Sequence, residues 1–182
     1  MLPSLTDLRV LLTYLVERGD VLTSDEFDDA LMQLGRVDGP ALLSWLHGCS
    51  LVTADDLTRS VGEVWSMAEY PDAMLSHRRW LELFAKAGFT IDGRAAMRPA
   101  EPLLLYRGSV PERRANWSWT DSLETALSYA NDGIRGRQPG KVWAAMVAPE
   151  RLLARNTGRD EHEYVINTDQ LMIAEYRART AR

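Results

Sequence analysis

Two glutamates stand two residues apart near the end of the chain, in Glu161-His162-Glu163, and an apolar run follows them. Side chains alternate across a β-strand, so Glu161 and Glu163 are expected to face the same way while His162 faces the other. Like charges that close need a basic or hydroxyl-bearing neighbour. The pair is typical of general acid–base chemistry, although a solvated strand edge is the more common explanation of such a pair taken alone.

An arginine ends a second apolar run, at residues 103–107, and Gly108 follows it directly. Leu103, Leu105 and Arg107 share one strand face, so the same surface carries the leucines and the guanidinium. The planar fork of guanidinium donors suits a phosphate or a carboxylate. A glycine at this point lets a flat ring approach the main chain. The alternative is an edge arginine that reaches outward from the core.

A third stretch, residues 117–120, alternates tryptophans with hydroxyl-bearing residues. Ser118 and Thr120 share one strand face, and the tryptophans share the other. Asp121-Ser122 then resembles a helix start before an apolar pattern at residues 123–130. In a purely structural interpretation the tryptophans fill a core and the hydroxyls cap the turn. In a functional one, a hydroxyl orients a neighbouring carboxylate or binds a sugar.

Taken in order, the three stretches resemble the ADP-ribosyltransferase family of the Arg-Ser-Glu class. The resemblance rests on residues 105–108, on 117–120 with Ala126, Tyr129 and Ala130 downstream, and on 161–166, so it covers only residues 101–182. It implies an enzyme of the glycosyltransferase class, an NAD-dependent mono-ADP-ribosyltransferase. Such an enzyme breaks the nicotinamide–ribose bond and uses NAD as co-substrate without a metal.

The resemblance also implies catalytic roles, carried over position by position. Arg107 would hold the phosphates of NAD, and Ser118 would line the nicotinamide-ribose site and orient the glutamate. Glu163 would be the catalytic carboxylate, and Glu161 would help to activate the acceptor. The chemistry suits these residue types, because a carboxylate near the ribose stabilises the positive charge that develops as the C–N bond breaks.

The remaining implied roles concern nicotinamide binding. Gly108 would hold the nicotinamide amide through its main chain, and Trp119 or Tyr129 would supply an aromatic wall. Thr120 replaces the second hydroxyl residue of the family's Ser-x-Ser motif, which is a conservative change. Residues 156–160 carry no aromatic side chain for docking a target, so the acceptor is less clearly indicated than NAD.

Several functional alternatives stay open at this stage. The Glu-x-Glu form implies transfer to a protein arginine, with a nucleic acid as the other macromolecular acceptor. A rival reaction is simple NAD hydrolysis with water as acceptor. A rival of another class is a non-catalytic module that binds a nucleotide or a protein through the same sheet. The pattern leaves the biological role open between toxin, effector, phage factor and housekeeping enzyme.

The elements that must position these residues divide the chain in two. Residues 1–92 are predicted to form a helical bundle, because apolar residues recur there at three- and four-residue spacings between glycine stops. Helices are expected over 5–18, 24–34, 53–65 and 71–87, with a short one after Pro40. Residues 101–182 alternate short β-type runs with one helix, over 123–130. The runs lie at 103–107, 116–120, 141–147, 163–166 and 171–174. The predicted class is α+β, a helical bundle followed by a compact ADP-ribosyltransferase-like β-sandwich.

Composition excludes several other classes of protein. The 182 residues carry a formal charge of −5, and the excess of acid lies in the first part, which makes broad charge-driven nucleic-acid binding improbable and disfavours a helix-turn-helix at 24–65. No apolar run is long enough to cross a bilayer, so no membrane partner is expected.

The three histidines are scattered and Cys49 is the single cysteine, which predicts neither a metal site nor a disulfide and suits a cytoplasmic location. The glycines of residues 131–140 lack the Lys-Ser/Thr of a phosphate-binding loop, and this segment is predicted to be a rim loop.

Overall fold

The computed structural model describes residues 8–68, 70–131, 139–158 and 162–177. Helices come first and strands dominate afterwards, so the chain is a mixed α and β protein. It divides into two compact units, Met1–Ala95 and Ala96–Arg182. This division falls in the segment between the two ranges drawn from the sequence, 1–92 and 101–182.

Five α-helices are formed by the described residues of the first unit: α1 (Leu8–Arg18), α2 (Ser24–Gly48), α3 (Ala54–Met67), α4 (Pro71–Met74) and α5 (His77–Ala87). Hydroxyl side chains fix three of the helix starts. Thr23 and Glu26 form a reciprocal capping box on α2, while Thr53 and Ser76 accept main-chain N–H groups at the starts of α3 and α5. Each cap satisfies a donor that the first helical turn leaves without an intrahelical partner.

Two helix boundaries differ from the sequence prediction. The helix predicted at 24–34 and the short one after Pro40 are joined in α2, but Gly35 has φ 63° and ψ −154°, which breaks the helical path there. Pro40 lies five residues after this break, inside α2. It has no N–H to donate to the carbonyl four residues before it, so this turn of the helix lacks one hydrogen bond. The single helix predicted at 71–87 is wrong, since it is divided between α4 and α5 by extended main chain at Leu75 and Ser76.

An aromatic cluster forms part of the core of the first unit. Trp65 on α3 meets Trp80 on α5 edge to face, with ring centroids 5.0 Å apart, and Phe84 packs on both rings. All three side chains are almost completely buried. The indole N–H of Trp80 donates to the carbonyl oxygen of Pro71 over 3.0 Å, so burial of this ring leaves no donor unpaired.

The first unit ends in a short β-hairpin. Strands β1 (Thr90–Ile91) and β2 (Arg94–Ala95) pair antiparallel across Asp92-Gly93. Both turn residues have positive φ, 49° and 72°, as a two-residue Asp-Gly hairpin turn requires.

The described residues of the second unit form six strands and one α-helix, besides short 3₁₀ turns. The strands are β3 (Leu103–Ser109), β4 (Ser118–Thr120), β5 (Lys141–Val147), β6 (Leu152–Asn156), β7 (Glu163–Ile166) and β8 (Ala174–Glu175), and the helix is α6 (Leu123–Asn131). Their order across the sheet is β6-β7-β4-β3-β5-β8, and all five neighbouring pairs are antiparallel. The strands that carry Arg107, Ser118 and Glu163 are therefore adjacent.

The predictions for the second unit are confirmed for β3, β4, β5, β7 and α6 and fail at two strands. Strand β6 was missed. The strand expected at 171–174 is displaced, because only Ala174 and Glu175 pair with β5. In both units, no helix within the described ranges has the length and apolar character needed to span a membrane.

Candidate functional site

The sheet of the second unit opens along one line between two of its strands. Strands β3 and β5 are in register over all seven of their residues, from Leu103 to Ser109. Strands β3 and β4 pair at a single position, Tyr106 with Thr120, and the segment from 103 to 120 is described throughout. Beyond that pair no further register partners join the two strands in this described stretch. We call this interruption in the pairing the seam; it divides the sheet into β6-β7-β4 and β3-β5-β8.

Arg107 lies at the seam and is held by main-chain groups. Its Nε donates to the carbonyl oxygen of Arg113 over 2.9 Å, and its Nη1 donates to the carbonyl oxygen of Ser118 on the facing strand. The guanidinium thus supplies hydrogen bonds where strand pairing has stopped. As predicted, Arg107 shares a strand face with Leu105, whose side chain is completely buried. This face is opposite to that of Tyr106, which pairs with Thr120 and lies on the side of Glu163. The structure gives Arg107 a role in fixing the seam, and its grip on a dinucleotide phosphate stays a prediction.

Glu163 is placed in a row of polar residues across three strands. It pairs in register with Thr120 on β4 and with Asn156 on β6. The Nδ2 amide of Asn156 donates to the Oε2 oxygen of Glu163 over 2.9 Å. The carboxylate residue is buried, with 9% of its surface exposed. A buried carboxylate requires donors of this kind to offset its lost hydration.

Ser118 lies on the same face of the sheet as Glu163. It pairs with Val165, two residues after the glutamate, and residues two apart in a strand face the same way. The hydroxyl of Thr120, on that face too, accepts the N–H of Ser122 over 3.1 Å and helps to begin α6. Ser118 and Glu163 are therefore brought together as predicted, and Thr120 also has a structural role.

The second glutamate of the predicted pair, Glu161, lies outside the described residues. His162, between the two glutamates, is exposed and has φ 45°. This left-handed conformation is uncommon for a residue with a side chain and costs on the order of 1 kcal/mol. Main-chain strain therefore stands immediately before the buried carboxylate.

Helix α6 crosses strand β3 at Gly108. A Cβ atom on Gly108 would lie 2.7 Å from the main-chain nitrogen of Ala130 and 2.8 Å from the Cβ of Tyr129, and would overlap the carbonyl oxygen of Ala126. The absence of a side chain is thus required by the helix, which corrects the expectation that Gly108 leaves room for a ligand ring. Its main-chain contact with nicotinamide stays a prediction.

The same crossing places Tyr129 beside the seam. Gly108 and Tyr106 lie on the same face of β3, and Tyr106 pairs with Thr120, which shares the face of Glu163. Helix α6 therefore covers this face on the β3 side of the seam. The Tyr129 side chain is nearly half exposed. The Cβ of Tyr129 therefore lies against Gly108 of β3, on the face of the sheet that carries Glu163.

Trp119 lies on the face of β4 opposite to Ser118 and Thr120, away from the position predicted for the aromatic wall of the nicotinamide site. It pairs with Tyr164 and faces away from Ser118 and Thr120. Its ring is buried, and its indole N–H donates to the carbonyl oxygen of Asn116 over 2.8 Å. Trp119 is a core residue on the reverse face, which leaves Tyr129 as the remaining candidate for the predicted aromatic wall.

A second polar cluster stands directly behind the row that holds Glu163. The Arg155 guanidinium lies 5.1 Å from the centroid of the Tyr164 ring, and its Nη2 lies 3.6 Å from the Oδ2 oxygen of Asp121. Burial is the main cause that raises the pKa of the Tyr164 phenol, and hydrogen bonding to Asp121 adds to it. This cluster spans β6, β7 and the end of β4, and it fixes the register of the three strands that carry Asn156, Glu163 and Thr120.

Asn156 is the site residue that sequence reasoning missed. Asn156 is the last residue of β6, two residues after the short apolar run at 152–154. Recognising that run as a strand would have placed Asn156 in the sheet, opposite a residue of another strand. The same reasoning missed Arg155. Across the described residues, no group of three histidine, cysteine or acidic side chains is arranged to hold a metal ion.

No protein-family model, no curated protein and no solved structure matches this chain. Its function is therefore argued from the seam and from the residues beside it.

Proposed function

We propose that the second unit is a compact ADP-ribosyltransferase-like domain that cleaves the nicotinamide–ribose bond of NAD and transfers ADP-ribose to an acceptor. The observation that carries the proposal is the buried Glu163 carboxylate, held by Asn156 and facing the same way as Ser118 at the edge of the seam. In this proposal the two three-stranded halves on either side of the seam form the two layers of the sandwich, and NAD binds between them.

The residues around the seam suit the bond that breaks. As the C1′–N bond of the ribose lengthens, its electron pair leaves with neutral nicotinamide and positive charge develops on the sugar. The Glu163 carboxylate stabilises that charge and accepts a hydrogen bond from the ribose. Its advantage is larger in the transition state than in the ground state, because the charge appears only as the bond breaks.

Other residues hold the dinucleotide still while the sugar reacts. Arg107 fixes the seam and presents its guanidinium to the phosphates, and Tyr129 stacks on the nicotinamide ring. Ser118 donates to the ribose from the same strand face as the glutamate. Holding the reacting groups in place is worth about 7–11 kcal/mol of barrier in favourable cases.

The acceptor we propose is a protein arginine. Its guanidinium nitrogen forms the new bond to C1′ and loses a proton, which Glu161 takes up. Water in place of the guanidinium gives NAD hydrolysis, and the same geometry without turnover gives a binding module. These alternatives are separated by the experiment below.

The test uses the full chain and NAD labelled in the nicotinamide ring, with released nicotinamide measured with and without a cell lysate as acceptor source. We expect release by the parent chain, and a loss of about 100-fold or more in Glu163→Gln with NAD binding retained. The matched control is Glu175→Gln, which removes a carboxylate in the same sheet that pairs with Lys141 on the exposed surface.

Four results bear on the proposal in different ways. Label from the adenylate half of NAD appearing on lysate protein supports transfer, whereas full release without lysate supports hydrolysis. NAD binding without release by the parent chain contradicts an enzyme and indicates a binding module. Equal release by the parent chain and Glu163→Gln contradicts the assignment of the carboxylate.

A further inference from the structure

The hydrogen bond between Asn156 and Glu163 joins β6 to β7, which are neighbours in the sheet. Both strands lie far from Ser118 and Arg107 in the sequence. Asn156 is the last residue of β6, and Glu163 is the first residue of β7. The two are direct register partners, and the side-chain amide donates to the Oε2 oxygen over 2.9 Å. None of the residues assigned to the reaction above has this function.

We infer that Asn156 is a positioning residue that sets the rotation of the Glu163 carboxylate, an inference that rests on the proposed function. An N–H donor fixed on one oxygen of a carboxylate determines where the other oxygen points. Oε2 is taken by β6, on one side of β7, so Oε1 is directed toward β4, where Thr120 and Ser118 face the same way. The reactive oxygen is Oε1, which faces the seam.

The strand behind this contact is held so that the amide cannot drift. Arg155, the residue before Asn156, stacks on the Tyr164 ring and lies against Asp121 at the end of β4. Because Tyr164 follows Glu163 directly, the reverse-face cluster fixes the same register that brings Asn156 to the carboxylate. His162, with its positive φ, fixes the main chain on the other side of the glutamate.

The choice of an amide at position 156 is itself informative. Aspartate has nearly the same shape but carries no donor when ionised, and it would place a second negative charge against Glu163. Asn156→Asp therefore removes the hydrogen bond while leaving the volume of the side chain unchanged. The matched control is Asn167→Asp, since the Asn167 side chain acts as an acceptor, through Oδ1, for the N–H of Asp169 and keeps that role as aspartate.

The first measurement is the kinetics of nicotinamide release by the full chain. We expect Asn156→Asp to lower kcat about tenfold to a hundredfold with KM changed less than about twofold, because the loss acts on the carboxylate and not on NAD binding. Asn167→Asp is expected to match the parent chain. A kcat for Asn156→Asp within twofold of the parent chain overturns the inference. So does a raised KM at unchanged kcat, which would mean that Asn156 contacts NAD itself.

The second measurement does not depend on turnover. In the nuclear magnetic resonance spectrum of the full chain, the side-chain amide protons of Asn156 are expected to shift when Glu163 is replaced by alanine, and those of Asn167 are expected to stay in place. If the parent chain releases no nicotinamide, the proposed function fails and this spectrum still decides the inference. Unchanged Asn156 amide protons in Glu163→Ala overturn it.

Discussion

Replacing Gly108 by alanine tests the packing that places Tyr129 beside the seam. The added Cβ would lie 2.7 Å from the main-chain nitrogen of Ala130, whereas ordinary contacts begin at 3.4 Å. It would also overlap the carbonyl oxygen of Ala126, so α6 must move away from β3 as a unit. Main-chain atoms cannot rotate aside as a side-chain tip does.

The expected cost follows from that geometry. Overpacking a well-packed site typically costs about 1–3 kcal/mol, and rigid main chain on the helix places Gly108→Ala near the upper end, about 3 kcal/mol. Ala126 and Ala130 form a small apolar cluster with Val142 under the same helix, so its displacement also loosens these contacts. Because Tyr129 moves with α6, NAD binding is expected to weaken together with stability.

The assay is urea unfolding of the full chain, followed by tryptophan fluorescence, with Gly158→Ala as control. Among the residues that the structure describes, no atom lies within 4 Å of a Cβ added at Gly158, so alanine there is expected to be neutral or to stabilise by up to about 1 kcal/mol. If Gly108→Ala unfolds within about 0.5 kcal/mol of the parent chain, α6 does not cross β3 at this glycine. The place assigned to Tyr129 would then be refuted.

Three further predictions concern elements that support the site or the first unit. Pairing with Arg18 and the Thr23 cap lower the pKa of Glu26 from 4.5 to about 2. The contribution of Glu26 to stability is therefore complete above pH 4.5 and is lost as the pH falls toward 2. In Glu26→Gln the acid-unfolding curve should lose this component, and an unchanged curve would contradict the pairing. Trp80→Ala should destabilise the first unit by about 3–5 kcal/mol in thermal unfolding, because it empties the centre of the aromatic cluster, and a loss below about 1 kcal/mol would be inconsistent with that packing. His162→Gly should stabilise the second unit by about 0.5–1 kcal/mol, since glycine adopts positive φ without strain, and a destabilised variant would argue against that strain.

The sequence predicts local structure well where one residue fixes a boundary. Thr53 caps α3, and Ser122 accepts the N–H of Thr125 at the start of α6, as the hydroxyl patterns indicate. Gly35 breaks the path of α2 where the apolar stripe stops. These features depend on a few neighbouring residues, so a one-dimensional pattern contains the information they need.

The errors arise where pairing between distant segments decides the outcome. Strand β6 exists because β7 pairs with it, and its polar end at Arg155 and Asn156 hides it in the sequence. The alternation of residues correctly places Ser118 and Thr120 on one face and Trp119 on the other. It does not say which face meets the carboxylate, so Trp119 was wrongly kept as a candidate for the aromatic wall.

The site shows the same division between local and distant information. The types of Arg107, Ser118 and Glu163 are readable from motifs, and their strands are adjacent in the sheet. The register turns Arg107 to the opposite strand face, so only Ser118 and Glu163 face the same way. The hydrogen bonds of Arg107 to main-chain carbonyls depend on the seam, and the partner of Glu163 depends on register. Neither the seam nor the register has a signature within a single strand.

The most direct measurement of the central claim is the structure of the full chain with a non-hydrolysable NAD analogue. The account predicts that the nicotinamide ribose lies in the seam within hydrogen-bonding distance of Glu163 Oε1, with Ser118 beside it and Tyr129 against the ring. An analogue bound away from the seam, or with its ribose out of reach of Glu163, would contradict the account.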